Sequence, residues 1–132
     1  MAKQARHLGM AIERPAAEVY EFARRPENLV LWASGLGSIR RERGLWVAEN
    51  PSGRLRLRFA RRNAWGVLDH WVQLENGAEI YIPLRVIDTG NSCELVFTLL
   101  RQPDMSDAQF ETDADWIMGD LTRLKQLLET SA

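Results

Sequence analysis

The chain has 132 residues, 45% of them hydrophobic and 27% charged, with a formal net charge of -1, which is the size and balance of one ordinary globular domain. Near-neutral charge excludes a protein built mainly to hold nucleic acid or an anionic membrane, and no stretch approaches the ~20 apolar residues of a membrane span. The one cysteine, Cys93, allows no internal disulfide and gives no sign of an oxidising compartment. Nothing between Met1 and Glu13 is apolar enough for a signal peptide, so a single cytoplasmic domain over 1–132 is expected. A chain this long buries roughly two-thirds of the surface its unfolded form exposes and needs no staple.

Gln4 to Glu13 is short and mixed and reads as a first strand. At Pro15-Ala-Ala-Glu18 a proline and a carboxylate occupy a first helical turn, where a missing N–H is harmless and negative charge is favoured. Val19, Phe22 and Ala23 then share one face at helical spacing. Pro26 ends that helix and opens a shorter one carrying Leu29, Val30 and Trp32 to the breaker Gly35-Leu36-Gly37.

From Ser38 to Arg101 the period becomes two. Arg54-Leu55-Arg56-Leu57-Arg58-Phe59 alternates cleanly, with Leu55, Leu57 and Phe59 inward and three arginines outward. One wet face means an antiparallel sheet. Turn signals at Gly44, Pro51-Ser52-Gly53, Asn76-Gly77 and Thr89-Gly90 divide the stretch into strands at about 39–42, 45–49, 54–60, 66–74, 79–87 and 92–100. The last element begins at Ser106, an N-cap with Gln109 three residues on, and Met105 is placed to staple onto Phe110. Asp107, Glu111, Asp113 and Asp115 load its N-terminal half, and Arg123 and Lys125 its end. Phe110, Ala114, Ile117, Leu121, Leu124 and Leu128 form one apolar stripe, flanked by Trp116 and Met118. Such a one-sided helix must lie across the apolar face of the sheet.

The order of strand, two short helices, meander and long helix resembles the helix-grip arrangement of the START-like superfamily. Ile12-Glu-Arg-Pro15-Ala-Ala-Glu18-Val19-Tyr20-Glu-Phe22 resembles the opening of its polyketide cyclase/dehydrase and lipid-transport (SRPBCC) family, followed by Pro26-Glu-Asn28 and Trp32. Gly66-Val-Leu-Asp69-His70, Pro83-Leu-Arg85-Val86-Ile87 and Asp120-Leu121-Thr-Arg-Leu124-Lys125 are similar to one bacterial branch. The resemblance implies an α+β fold: a seven-stranded antiparallel sheet, two short helices after the first strand, and a C-terminal helix packed across it. It also implies a hydrophobic cavity for a polyketide, lipid, sterol or quinone. Plant-allergen relatives carry a Gly-rich loop between their second and third strands, where Arg43-Gly44-Leu45 has a single glycine.

Cross-strand register decides which side chains face such a cavity. A two-residue turn at Asn76-Gly77 pairs Trp71 with Ile82 and Asp69 with Leu84, and one at Thr89-Gly90 pairs Leu84 with Leu95 and Ile82 with Phe97. The inner wall is then apolar but for Asp69, and Arg85 meets Glu94 outside. Read alone, Leu68, Val72 and Leu74 favour the opposite face, which puts His70 inside instead. Asp69 or His70 is therefore the candidate acid/base. The expected ligand contacts are Trp32, Trp71, Ile82, Leu84, Leu95, Phe97, Ile117, Met118 and Leu121.

His7 and His70 lie far apart in no ligand-type spacing, so neither a metal nor another cofactor is expected. Cys93 reads as a small core hydrophobe. Three functions stay open: a carrier of a hydrophobic small molecule, a polyketide cyclase/dehydratase-type enzyme, or a protein-interaction module. The third would use the run of Arg40, Arg41, Arg43, Arg54, Arg56, Arg58, Arg61 and Arg62. No nucleic acid and no membrane insertion are expected, and a homodimer is compatible with the sequence.

Overall fold

The computed structural model describes residues 2–130. Strand β1 (Ala5–Ile12) leads into helix α1 (Ala16–Ala23), a single 3-10 turn (Pro26–Asn28) and the one-turn helix α2 (Leu29–Trp32). Eight strands follow the chain in all, with β2 (Ser38–Glu42), β3 (Leu45–Asn50), β4 (Gly53–Phe59), β5 (His70–Gln73), β6 (Glu79–Ile82), β7 (Leu84–Asp88) and β8 (Cys93–Leu100) preceding helix α3 (Asp107–Thr130).

The expected seven-stranded sheet is instead two antiparallel sheets, one ordered β1-β8-β7 and the other β2-β3-β4-β5-β6. The cause is Pro83, which has no N–H to give a ladder and splits the expected 79–87 strand into β6 and β7. Its neighbour Leu84 donates its N–H to the Asp69 carboxylate at 3.0 Å. The Pro83 carbonyl meanwhile accepts from the Thr98 N–H at 3.0 Å and so starts the β7–β8 ladder. The expected 66–74 strand is cut at the same corner. Its first residues leave the larger sheet for β7, with Leu68 N–H on the Leu84 carbonyl at 2.7 Å and Val86 N–H on the Gly66 carbonyl at 2.8 Å. A side chain at position 66 would strike the Val86 carbonyl, and φ there is +71°, so the corner requires glycine.

Register departs from expectation in both hairpins. Trp71 pairs with Tyr81 and His70 with Ile82, one residue out from the expected match. Asn76-Gly77 is not a two-residue turn: Gly77 has φ +90° but Asn76 does not join it in the left-handed region. Leu74 and Ala78 close a three-residue loop instead, with Leu74 N–H on the Ala78 carbonyl at 2.9 Å. Across β7 and β8, Leu84 pairs with Phe97 and Val86 with Leu95, a slip of two that leaves their faces unchanged. Arg85 therefore lies opposite Val96, and Glu94 opposite Ile87.

Helix α3 behaves as its stripe requires. Ser106 Oγ accepts from Gln109 N–H at 3.0 Å, the N-cap bond, while the Gln109 side chain turns to Asp113. Phe110, Ala114, Leu121, Leu124 and Leu128 are buried, the last four in one continuous core with Ile12, Leu84, Leu95 and Cys93. The C-terminal half is tied to β1 by Lys125 Nζ on the Ala11 carbonyl at 2.7 Å. Towards Ile117 the stripe is only half-buried, and there the helix stands off the larger sheet. No described helix is long and apolar enough to cross a membrane.

Candidate ligand-binding site

The gap left by α3 is a cavity of about 590 Å³. Leu55, Leu57, His70, Val72 and Ile82 supply its floor from the larger sheet, and Phe97 comes from β8. Leu29 and Trp32 of α2 close one side, and Ile117 and Trp116 of α3 the top. The mouth lies between Ser34-Gly35-Leu36 and the Asn50-Pro51-Ser52 turn. This volume lies within the range of small-molecule sites, which combine apolar walls with a few polar groups. A second pocket of about 260 Å³ shares Ile82, Phe97, Asp113, Trp116 and Ile117 and extends towards Met105.

His70 is the polar group at depth. It is 6% exposed, stacked on Phe59 at 5.3 Å between ring centroids, and its Nδ1 lies 3.1 Å from the Leu68 carbonyl. A carbonyl only accepts, so Nδ1 carries the proton and Nε2 keeps its lone pair. Nε2 has no hydrogen-bond partner among the described residues. Burial pushes the imidazole pKa below its usual value, with the Leu68 carbonyl and the Asp69 charge opposing. The ring is thus held neutral, in one tautomer, with its basic nitrogen unused.

Asp69 has the opposite surroundings. It does not line the cavity. Its carboxylate is gripped by the Arg85 guanidinium through Nε and Nη2, both at 2.8 Å, by the Tyr81 hydroxyl at 2.6 Å and by Leu84 N–H. Burial alone would raise its pKa, but Arg85, then Tyr81 and the Leu84 amide, outweigh it and hold the group at about 2. The same bond to Asp69 pushes the Tyr81 phenol up. This ion pair fastens the corner at Pro83.

Of the other expected contacts, Trp32, Ile82, Phe97 and Ile117 line the cavity and five do not. Trp71 belongs to the outer face, stacked on Tyr81 at 5.2 Å with Arg58 4.3 Å above its ring. Leu84, Leu95 and Leu121 are buried core, and Met118 packs against that core. Trp116, one of the tryptophans conspicuous in the sequence, lines the cavity too, whereas Leu29, Leu36 and Val72 are not among the expected contacts. Val72 carried a signal, since the run Leu68, Val72, Leu74 favours the observed face. Leu36 lay hidden in a breaker. Half of the arginine run is paired with acids: Arg40 and Arg54 with Glu49, Arg58 with Glu79 and Arg62 with Glu21. No cluster that could hold a metal ion occurs among the described residues.

The same backbone arrangement recurs in several solved structures. An aromatase/cyclase from Streptomyces, Zhui, superposes with a TM-score of 0.74 at 13% identity over 97% of this chain and 94% of its own. The chain has the START-like helix-grip fold. A START superfamily protein from Mycobacterium smegmatis matches with a TM-score of 0.74 at 9% identity, over 99% of this chain and all of its own. Ara h 8.0201 matches with a TM-score of 0.75 at 8% identity, over 98% of this chain and all of its own. No family model matches the sequence, and no curated protein does. The shared START-like fold therefore rests on backbone geometry, not on sequence.

Proposed function

We propose that this START-like chain binds a hydrophobic, cyclic small molecule in the cavity beneath α3. The observation that carries the reading is the 590 Å³ space itself, walled by Leu29, Leu57, Val72, Phe97 and Ile117. Burying a flat apolar ligand there removes apolar surface from water at about 25 cal/mol per Å². The aromatic walls add stacking. Native mass spectrometry of the purified full chain, with extraction of anything it carries, tests the proposal directly. Titration with an environment-sensitive apolar dye should saturate at one equivalent, and Ile117→Trp, which narrows the space, should weaken it. Dye affinity that is unchanged in Ile117→Trp, or a chain that binds no dye, removes the reading.

A second reading, a cyclase- or dehydratase-type enzyme, is favoured by one observation: the unused Nε2 of His70. It can take a proton from an acidic C–H or O–H of a bound ligand, with the Leu68 carbonyl fixing the tautomer. In that case His70→Gln lowers turnover about 10²–10⁴-fold and leaves ligand affinity nearly intact. Affinity loss without any turnover to lose favours the carrier.

A further inference from the structure

The charge on the cavity wall has one sign. No lysine or arginine lines it, nor the pocket of about 260 Å³ that adjoins it, and the charged side chains present are Asp113 and Asp120 of α3. They differ in how far each is neutralised. Asp120 accepts from Arg123 at 3.1 Å and from both the N–H and the hydroxyl of Ser34. Asp113 receives one neutral hydrogen bond, from Gln109 at 2.7 Å, and has no ion-pair partner among the described residues. Arg101, which binds the Met105 carbonyl just before α3, is spent on Asp107.

Helical spacing puts the unpaired carboxylate on the inner face. Asp113, Trp116, Ile117 and Asp120 stand at i, i+3, i+4 and i+7 of α3, and all four line the cavity. The first three also line the adjoining pocket, so they mark the junction of the two spaces. Trp116, one turn from Asp113, is 58% exposed and leaves much of its ring uncovered. A cation held there gains from the carboxylate and from the indole face together. Asp113 is half-buried, so such a pair escapes the penalty of full desolvation. On the cavity floor the other unspent polar group has the same preference. His70, 6% exposed, offers the lone pair of Nε2, because Nδ1–H is committed to the Leu68 carbonyl. An N–H donor suits that nitrogen, whereas a carboxylate or phosphate does not, and either would face Asp113 as a like charge.

We infer that the cavity takes an apolar molecule carrying a cationic amine, with the ammonium held by the Asp113 carboxylate and the Trp116 indole where the two spaces meet. This rests on the cavity reading above and adds to it the charge of the ligand and the side chain that selects it.

Pyrenemethylamine, pyrenemethanol and pyrenecarboxylic acid share one fluorescent frame and are cationic, neutral and anionic at neutral pH. Their affinities for the full chain are therefore directly comparable. The cation should bind about tenfold more tightly than the alcohol, the yield of a half-exposed ion pair and a cation–π contact. The anion should bind at least about threefold more weakly than the alcohol. Asp113→Asn keeps an acceptor for Gln109 and removes the charge, so cation and alcohol should then bind within about threefold of each other, with alcohol affinity unchanged. Raising salt to about 0.5 M should shrink the wild-type preference in the same direction. The wild-type ordering does not depend on any variant folding. An alcohol or an anion that binds as well as the cation overturns this inference and leaves the cavity reading intact, as does a full preference surviving in Asp113→Asn. If none of the three probes binds, the cavity reading itself falls.

Discussion

Asp69 and His70 are neighbours in sequence and nearly equal in burial, at 6% exposed each, yet they do opposite things. One lies outside the larger sheet's inner wall and has every oxygen engaged; the other lies inside and has a nitrogen to spare. Alternation along a strand accounts for the side each takes. The corner at Pro83 accounts for the rest, because Leu84 N–H has no ladder partner there and the Asp69 carboxylate supplies one. A polar group that completes a backbone break is structural, whereas one with an unspent valence on a cavity wall is free for a ligand.

The sharpest way to break this contrast is to remove the carboxylate. Asp69→Ala should cost about 2–4 kcal/mol of stability, since it strips three partners and leaves the Leu84 N–H buried without an acceptor. Asp69→Asn should cost less, about 1–2 kcal/mol, because an amide oxygen can still accept from Leu84. Both should bind the apolar dye with wild-type affinity once folded, read by fluorescence below the unfolding midpoint. A tenfold loss of affinity in Asp69→Asn at unchanged stability would reverse the roles assigned to the two residues.

His70→Phe should show the opposite pattern. Phenylalanine preserves the stack on Phe59 and roughly the volume, so denaturant midpoints should move by less than about 1.5 kcal/mol at neutral pH. What it should lose is the function of the cavity, read as turnover or as affinity for the ligand the chain carries. A loss of stability as large as that of Asp69→Ala would mean the imidazole holds the fold, not the ligand.

The contrast was only half legible in the sequence, for a local reason. Asn76-Gly77 does mark the hairpin, but its backbone uses Gly77 alone in the left-handed region and spends Glu75 in the loop, which shifts β5 against β6 by one residue. A one-residue slip exchanges faces, so the favoured register put Asp69 and Trp71 inside and His70 outside. The apolar run Leu68, Val72, Leu74 held the correct answer, because burial is the stronger constraint where turn chemistry permits two loop lengths. At Thr89-Gly90 the loop lengthened by two, and the faces survived. Helix α3 was legible almost residue by residue, since its apolar stripe repeats over about five turns and no turn intervenes. The cavity mouth was not: Leu36 and Asn50-Pro51-Ser52 sit in turns, where periodicity carries no signal.

The smallest effect expected is in acid, and it separates the two residues by pH. Burial depresses the His70 pKa from its ordinary 6.5, so below 6.5 the unfolded chain takes up a proton that the folded chain refuses. The stability contributed by the neutral buried ring is complete above 6.5 and declines as pH falls towards the folded value. Asp69 titrates from an ordinary 3.8 to about 2 in the fold. Its contribution is complete above 3.8 and is lost only as pH falls through about 2. Between neutrality and about pH 5 the histidine term therefore acts without the aspartate term. Urea denaturation should show wild type losing more stability across that interval than His70→Phe does. Asp69→Asn, less stable throughout, should keep the wild-type slope. If His70→Phe has the same slope as wild type, the imidazole is not held neutral by burial, and its Nε2 is not the unused base described above.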